Sequence, residues 1–573
     1  MTEVPVQLKM RPATLLNQVR WLVDTQPDAP AVVLVEGDAE KTISYSEFFR
    51  ESARYAAALE DAGVQSGDLV ALIMQHGEDV LYAFWGAMLL GAIPSIFPFL
   101  SDRLDPARYF DSVRQLVEHE GVRVVVTYSG LESDLRQSLD AVEVTIFNTE
   151  TLSADNPPDV KTYVDRNPAT AEDTAFLQHS SGSTGLQKGV MLSHRAVLNQ
   201  VAAYGAAIRL SPDDVIVSWL PLYHDMGLIA AFIMPMLQGV KLVLMSPFRW
   251  VRDPKMLLHA ITRHDGTLCW LPNFAYTFLA TRIRDEDLVG VDLASMRAFI
   301  NCSEPVYAQS HADFRERFTP YGLHESALTV CYAMAENTFA VTQAGIDALV
   351  KHDVIDRRTL SEDHQATPAV DDAPTLTFVS NGKPIPNCEI RVVDDSIRDD
   401  LPERRVGEIA LRSDSMLSGY YKRPDASADA MQDGWYFTGD MGYIAEGELY
   451  ITGRKKDLII VGGKNVYPQD IENLLNGVDG LHPGRATAFG VFNDKLGTED
   501  VAIVAEISHE LDPDDRQLKA QISREIRGRV AQNTEVTARY VHLVGPKWLV
   551  KTSSGKVARR ANRQKFIDDV LGE

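Results

Sequence analysis

Short, Val-rich apolar runs punctuate this 573-residue chain, and longer stretches with helical patterning separate them. VALIM (Val70 to Met74), VRVVVTY (Val122 to Tyr128) and KLVLM (Lys241 to Met245) are such runs. Over the first 450 residues this alternation points to an α/β architecture with mainly parallel sheets. The length exceeds what one hydrophobic core supports, so at least two domains are expected. A polar, acidic stretch from Lys351 to Pro374 reads as a loop or an inserted surface segment, and GRKKD (Gly453 to Asp457) reads as a joint. Beyond that joint lies enough chain for a small α+β domain, whose helix from Arg516 sets Leu518, Ile522, Ile526 and Val530 on one apolar stripe. No internal repeat is visible.

One segment imitates a membrane span. Val80 to Leu100 runs for 21 residues without a charge, the length a bilayer needs. Gly86, Gly91, Pro94 and Pro98 interrupt it, so it reads as a buried helix ending near Gly91 followed by extended chain. The N-terminus carries no apolar core of the secretory kind. Lys plus Arg number 56 against 80 Asp plus Glu, a formal charge of −24, which disfavours nucleic acid or an anionic membrane as partner. Cys269, Cys302, Cys331 and Cys388 form no C-x-x-C pair, so neither a zinc site nor a disulfide framework is expected and a cytoplasmic setting fits.

The stretch HSSGSTGLQKG, His179 to Gly189, has the composition of a phosphate-holding loop. Its spacing is not that of the common nucleotide-hydrolase loop, because Gln187 stands where Gly-Lys should begin and Gly189 follows Lys188. AFLQ before it reads as a strand and MLSHRAVLNQ after it as a helix. A Gly-rich turn in that position presents backbone N–H groups to an anion, with hydroxyls from Ser183 and Thr184 and a charge from Lys188.

Five further strings accompany the loop: WLPLYHDMGL (Trp219 to Leu228), YAMAENT (Tyr332 to Thr338), YFTGD (Tyr436 to Asp440), GRKKDLIIVGGKNVYP (Gly453 to Pro468) and KTSSGKVARR (Lys551 to Arg560). Together, and in this order, they resemble the adenylate-forming superfamily of acyl-CoA synthetases, fatty acyl-AMP ligases, adenylation domains and luciferases. The resemblance implies a large N-terminal domain of several subdomains (1–453), a hinge (454–456) and a small mobile C-terminal lid (457–573). It also implies ATP-dependent activation of a carboxylic acid as acyl-AMP, with Mg²⁺, followed by transfer to a thiol.

The resemblance assigns Ser180, Ser181, Gly182, Ser183, Thr184, Gly185 and Lys188 to the phosphates. It makes Glu336, with Thr184, the magnesium site, where one carboxylate is enough because the phosphates supply further oxygens. Tyr332, Ala333, Met334 and Ala335 would line the adenine, with Ser303, Glu304 and Pro305 on its other side. Asp440 would accept both ribose hydroxyls, and Arg454 would be a second ribose contact. Lys556 would be carried in by the lid to bridge the carboxylate and the α-phosphate. Lys456 would be the hinge, and Gly462 and Gly463 the wall of the tunnel for the thiol arm. His224 would be a gate near the substrate carboxylate; a helix-start histidine beside Asp225 is the plainer reading. Trp270, Asn273, Phe274, Val330 and Met334 are candidates for an acyl pocket, whose apolar character suggests a lipid-like or terpenoid acid.

Two departures stand out. Gln187 replaces a usual proline and His179 a usual Tyr or Phe, which leaves open a chain that performs mainly one half-reaction. The segment from His352 to Ala373 resembles the insertion of fatty acyl-AMP ligases, which load carrier proteins. The glycine pair and the strings FLQHSSGSTGLQKGV and LCWLPNFAY favour an acyl-CoA ligase, with CoA as acceptor, over that alternative, in which the phosphopantetheine of an acyl-carrier protein accepts. A non-catalytic adenylate-binding scaffold, an unrelated NTPase and light emission are the remaining alternatives.

Overall fold

The computed structural model describes residues 13–572 except 38, 101–105, 153–157, 180–187, 371–373, 462–463, 494–497, 535 and 553–554. Two large sheets form the body. One runs, in spatial order, Lys383–Pro384, Ala340–Gln343, Leu328–Ala333, Ala298–Asn301, Leu268–Leu271, Val215–Ser218, Lys241–Met245, Pro30–Glu36 and Ala39–Ser44. Its middle is parallel, and antiparallel strands close both edges. The other runs Gly419–Tyr420, Gly189–Ser193, Thr174–His179, Ile93–Ile96, Leu69–Leu72, Val124–Thr127 and Thr145–Asn148, parallel from Thr174–His179 onward. Strand–helix alternation thus yields the expected parallel-rich α/β body, because a parallel neighbour can only be reached by a crossover.

The uncharged stretch resolves as expected into a helix, Glu78–Leu89, buried from Val80 onward, and a central strand, Ile93–Ile96. Among the described residues no helix is long and apolar enough to cross a membrane. Gly86 does not break that helix. A Cβ there would lie 2.7 Å from the Tyr55 Cβ and 2.8 Å from the Ser52 carbonyl oxygen, so the missing side chain lets the helix Tyr45–Asp61 pack close.

Two sequence expectations need correction. The residues after the Gly-rich stretch begin as a strand, Gly189–Ser193, antiparallel to Thr174–His179, and the helix starts only at His194. Val190 and Leu192 are buried in the sheet, and the Ser193 hydroxyl accepts the Ala196 N–H to start the helix. The stretch therefore joins two strands, and the helix N-terminus invoked for anion binding is not adjacent to it. The acidic segment is likewise more than a loop: His352–Asp356 and Thr375–Val379 pair as a hairpin around the helix Arg357–Asp363.

An antiparallel sheet of Cys388–Val393, Gly407–Ser413, Trp435–Ala445, Met431–Gln432 and Glu448–Arg454 leads to the tail. There Leu481–Asn493, Thr498–Ile507 and Ala538–Val544 form a three-stranded sheet. The helix Arg516–Asn533 buries Ile522, Ile526 and Val530, the expected stripe, against a separate apolar core that includes Ile459, Ile471 and Ile503.

Candidate active site

Strand pairing in the antiparallel sheet sets the first group. Asp440 and Arg454 are cross-strand partners in neighbouring strands, and the Arg454 guanidinium lies 2.9 Å from the Asp440 carboxylate. The other Asp440 oxygen accepts the Tyr332 hydroxyl at 2.6 Å. Burial and the Asp440 charge hold that phenol well above its ordinary range, so it stays a donor. Tyr332 sits on Leu328–Ala333, the third strand from one edge of the nine-stranded sheet. Tyr332, far away in sequence, and Arg454, on the neighbouring strand, thus converge on one carboxylate.

A second group surrounds Glu336, in the short turn Ala335–Asn337 that follows the Tyr332 strand. Its carboxylate accepts the Tyr420 hydroxyl at 2.8 Å, and Tyr420 lies 3.1 Å from the Tyr436 hydroxyl. The Lys188 ammonium sits over the Tyr420 ring, 4.5 Å from its centre. Tyr420 was not anticipated, since SGYYKRP reads as an ordinary turn. Only the pairing of Gly419–Tyr420 with Gly189–Ser193 brings it beside Lys188. Among the described residues no cluster of three metal-ligating side chains occurs. The Tyr420 bond engages one Glu336 oxygen, an arrangement suited to a Mg²⁺ ion held mainly by phosphate and water.

The third group joins the tail to the body. The Lys556 ammonium donates to the carbonyl of Ser303, at the turn after Ala298–Asn301. Ser303 has φ +70, a backbone conformation that a serine holds only when its surroundings impose it. Asp225 caps the wide helical segment Met226–Ile233 by accepting the Met226 N–H at 2.8 Å. His224 Nδ1 is 2.6 Å from its carboxylate. Burial alone would raise the Asp225 pKa; His224 and Lys556 outweigh it and hold the carboxyl below its usual value. Gly227 is required here, because a Cβ would lie 2.2 Å from the Pro221 carbonyl oxygen.

The remaining candidates are placed differently. Glu304 accepts the Phe274 N–H at 3.0 Å and so anchors the start of the helix Asn273–Arg282. Asn273 is taken up by Asn301 and Ser310, at 3.0 and 2.6 Å. Trp270 is buried and donates to the Tyr204 hydroxyl at 2.8 Å. Val330 lies in another apolar cluster with Ala344 and Val379, and Phe274 is 42% exposed beside Trp219 and Trp250. Trp270 and Val330 stand on strands separated by Ala298–Asn301 and in different apolar clusters, while Asn273 and Phe274 open the helix that follows the Trp270 strand. Lys456 lies in the turn Lys455–Asp457. Ser180, Ser181, Gly182, Ser183, Thr184, Gly185, Gly462 and Gly463 lie outside the described residues.

The model of AMP-binding enzymes matches residues 19–421. A long-chain-fatty-acid–AMP ligase, FadD26 of Mycobacterium marinum, is 28% identical over 99% of this chain and 98% of its own. A solved fatty acyl-adenylate ligase, from work on the E. coli and L. pneumophila enzymes, is 26% identical with a TM-score of 0.88, covering 98% of both chains. A fatty acyl-adenylate ligase from L. pneumophila, solved with acyl adenylate and pyrophosphate, is 28% identical with a TM-score of 0.74, covering 97% of both chains. Matched over most of its length and carrying the convergent carboxylates and the tail lysine described above, this chain belongs to the AMP-binding enzyme family.

Proposed function

We propose that this enzyme activates a hydrophobic carboxylic acid as its acyl-adenylate and passes the acyl group to the phosphopantetheine thiol of a carrier protein. The observation that carries the adenylation half is the reach of Lys556, on the tail, to the Ser303 carbonyl. In the reaction a carboxylate oxygen forms a bond to the α-phosphorus while the bond to the bridging oxygen breaks and its electron pair leaves with pyrophosphate. Two anions must approach, so a cation placed between them lowers the barrier. Lys556 is that cation; Asp440, flanked by Tyr332 and Arg454, holds the ribose end. Lys188, over Tyr420, serves the phosphate end, and Glu336 would hold Mg²⁺, which supplies charge neutralisation to the departing pyrophosphate.

The strings of the sequence favour CoA as acceptor, but the packing of the inserted segment supports a carrier. Ile355 and Leu360 of that segment share one apolar cluster with Tyr443 and Tyr450 of the body and with Tyr467 of the tail. Arg357 donates to the carbonyl of Asn533, at the end of the tail helix. A segment that grips body and tail together resists the rotation about Lys456 that would withdraw Lys556 and open a path for free CoA. The relative and the two solved ligases named above are fatty-acid AMP or acyl-adenylate ligases by name, which agrees. The test is a panel of carboxylic acids with ATP and Mg²⁺, offered CoA and a phosphopantetheinylated carrier in parallel and read by mass spectrometry. Acyl-AMP with acyl-carrier is expected. Acyl-CoA as the main thioester would make this an acyl-CoA ligase, and no acyl-AMP from any acid would remove the reading altogether.

A further inference from the structure

His179, one of the two departures in the Gly-rich stretch, is tied into a buried polar group that the adenylation chemistry does not use. Its Nδ1 lies 2.9 Å from the Ser95 hydroxyl, and its Nε2 lies 3.0 and 3.1 Å from the two oxygens of Glu120. All three are buried, Ser95 at 0%, Glu120 at 3% and His179 at 7% exposure. They come from three elements: the strand Ile93–Ile96, the last residue of the helix Pro106–Glu120, and the last residue of the strand Thr174–His179.

The order Ser–His–Glu is that of a hydrolytic triad, but the geometry excludes a nucleophile. Ser95 has no exposed surface and its hydroxyl is also 3.1 Å from the Leu177 carbonyl oxygen. One hydroxyl proton serves either Leu177 or His179. If it goes to Leu177, the serine oxygen is left to accept from Nδ1; if it goes to His179, Nδ1 is the acceptor. In either arrangement Nε2 faces both Glu120 oxygens. The Glu120 carboxylate is therefore held through His179 and cannot be buried cheaply without it.

The group lies at a particular place. His179 pairs in register with Gly189, so these two residues are the strand ends between which the sequence SSGSTGLQK runs. A Cβ on Gly189 would lie 3.1 Å from Glu120 and 3.4 Å from His179 Nε2, so the glycine leaves room for the pair. The Gly189 carbonyl accepts the Tyr421 N–H at 2.8 Å, next to the Tyr420 that carries Lys188 and Glu336. From this we infer that His179 and Glu120 are positioning residues: their buried pair fixes the two strand ends that flank the phosphate-binding sequence, and so sets the affinity for ATP. The inference rests on the reading of this chain as an ATP-dependent ligase.

The experiment is ATP–pyrophosphate exchange with dodecanoate at saturation, alongside thermal unfolding, for His179→Phe, His179→Gln, Glu120→Gln and the double variant His179→Phe/Glu120→Leu. His179→Phe should raise the KM for ATP about tenfold or more with a smaller fall in kcat, as loss of a charge-assisted bond does. His179→Gln, which keeps one donor for Glu120, should recover part of it. The double variant removes the stranded charge and should recover Tm while KM for ATP stays high. If its KM returns to the wild-type value together with Tm, the pair is merely structural and the inference falls; unchanged KM in the single variants overturns it equally. Absence of exchange in the wild type with every acid of the panel would instead overturn the functional reading.

Discussion

Arg357→Ala tests whether the inserted segment holds the tail against the body. Arg357 links the two by donating to the Asn533 carbonyl of the tail, and it also donates to the Thr375 carbonyl within the hairpin at 3.3 Å. A hydrogen bond from a charged group contributes about 1.5–3 kcal/mol, and Arg357 is only partly buried, so the low end applies. About 1.4 kcal/mol is a tenfold change in an equilibrium. If the rotated arrangement is a minor population that free CoA requires, removing this link should raise that population about tenfold. The apolar cluster around Leu360 and Tyr467 remains and limits the gain. The assay measures acyl-CoA formation from a supplied acyl-adenylate, and acyl-AMP formation separately. The ratio of the first to the second should rise about tenfold with little change in Tm. An unchanged ratio would show that the segment does not restrain the tail.

Tyr420→Phe removes the donor to Glu336 and should weaken Mg²⁺ by about tenfold, the usual cost of losing a group that orients a metal-site carboxylate; titration of activity against Mg²⁺ reads it, and an unchanged requirement would argue against Glu336 as the metal site. Gly86→Ala places a Cβ 2.7 Å from Tyr55 and should cost about 1–3 kcal/mol by overpacking, read by denaturant unfolding; a neutral result would mean the two helices separate freely. Acid should destabilise the fold between about pH 6.5 and 4. Burial lowers His194 and His311 to about 4, and both accept hydrogen bonds, from the Leu15 N–H and the Asn301 amide. Below 6.5 the unfolded chain takes up protons that the folded chain refuses, so stability falls by up to about 1.4 kcal/mol per pH unit per histidine. Tm measured across that range should drop, and His194→Gln with His311→Gln should flatten the drop; an equal slope in the double variant would assign the acid sensitivity elsewhere.

The parallel body was legible because buried strands such as Val124–Thr127 and Lys241–Met245 are apolar runs of fixed length between helices, a local signal. Asp440, Tyr332 and Glu336 were legible through their strings, and the structure brings them onto adjoining elements. Other features depend on partners that no local pattern reveals. Val190 and Leu192 read equally well on a helix or a strand, and only the neighbour Thr174–His179 decides for the strand. Gly86 reads as a helix breaker until the second helix is seen against it. Trp270 and Val330 both read as pocket lining, yet they belong to separate apolar clusters. Tyr420 and Glu120 carry no motif, and their roles arise from pairings over 84 and 59 positions of sequence.

The central claim is that the tail delivers Lys556 to the adenylation centre, and its most direct test separates the two half-reactions of Lys556→Ala. Acyl-AMP formation should fall by about two to three orders of magnitude, the usual loss when a cation at the transition state is removed. Thioester formation from a supplied acyl-adenylate should stay within a few-fold of wild type. Equal loss of both half-reactions, or undiminished acyl-AMP formation, would contradict the account.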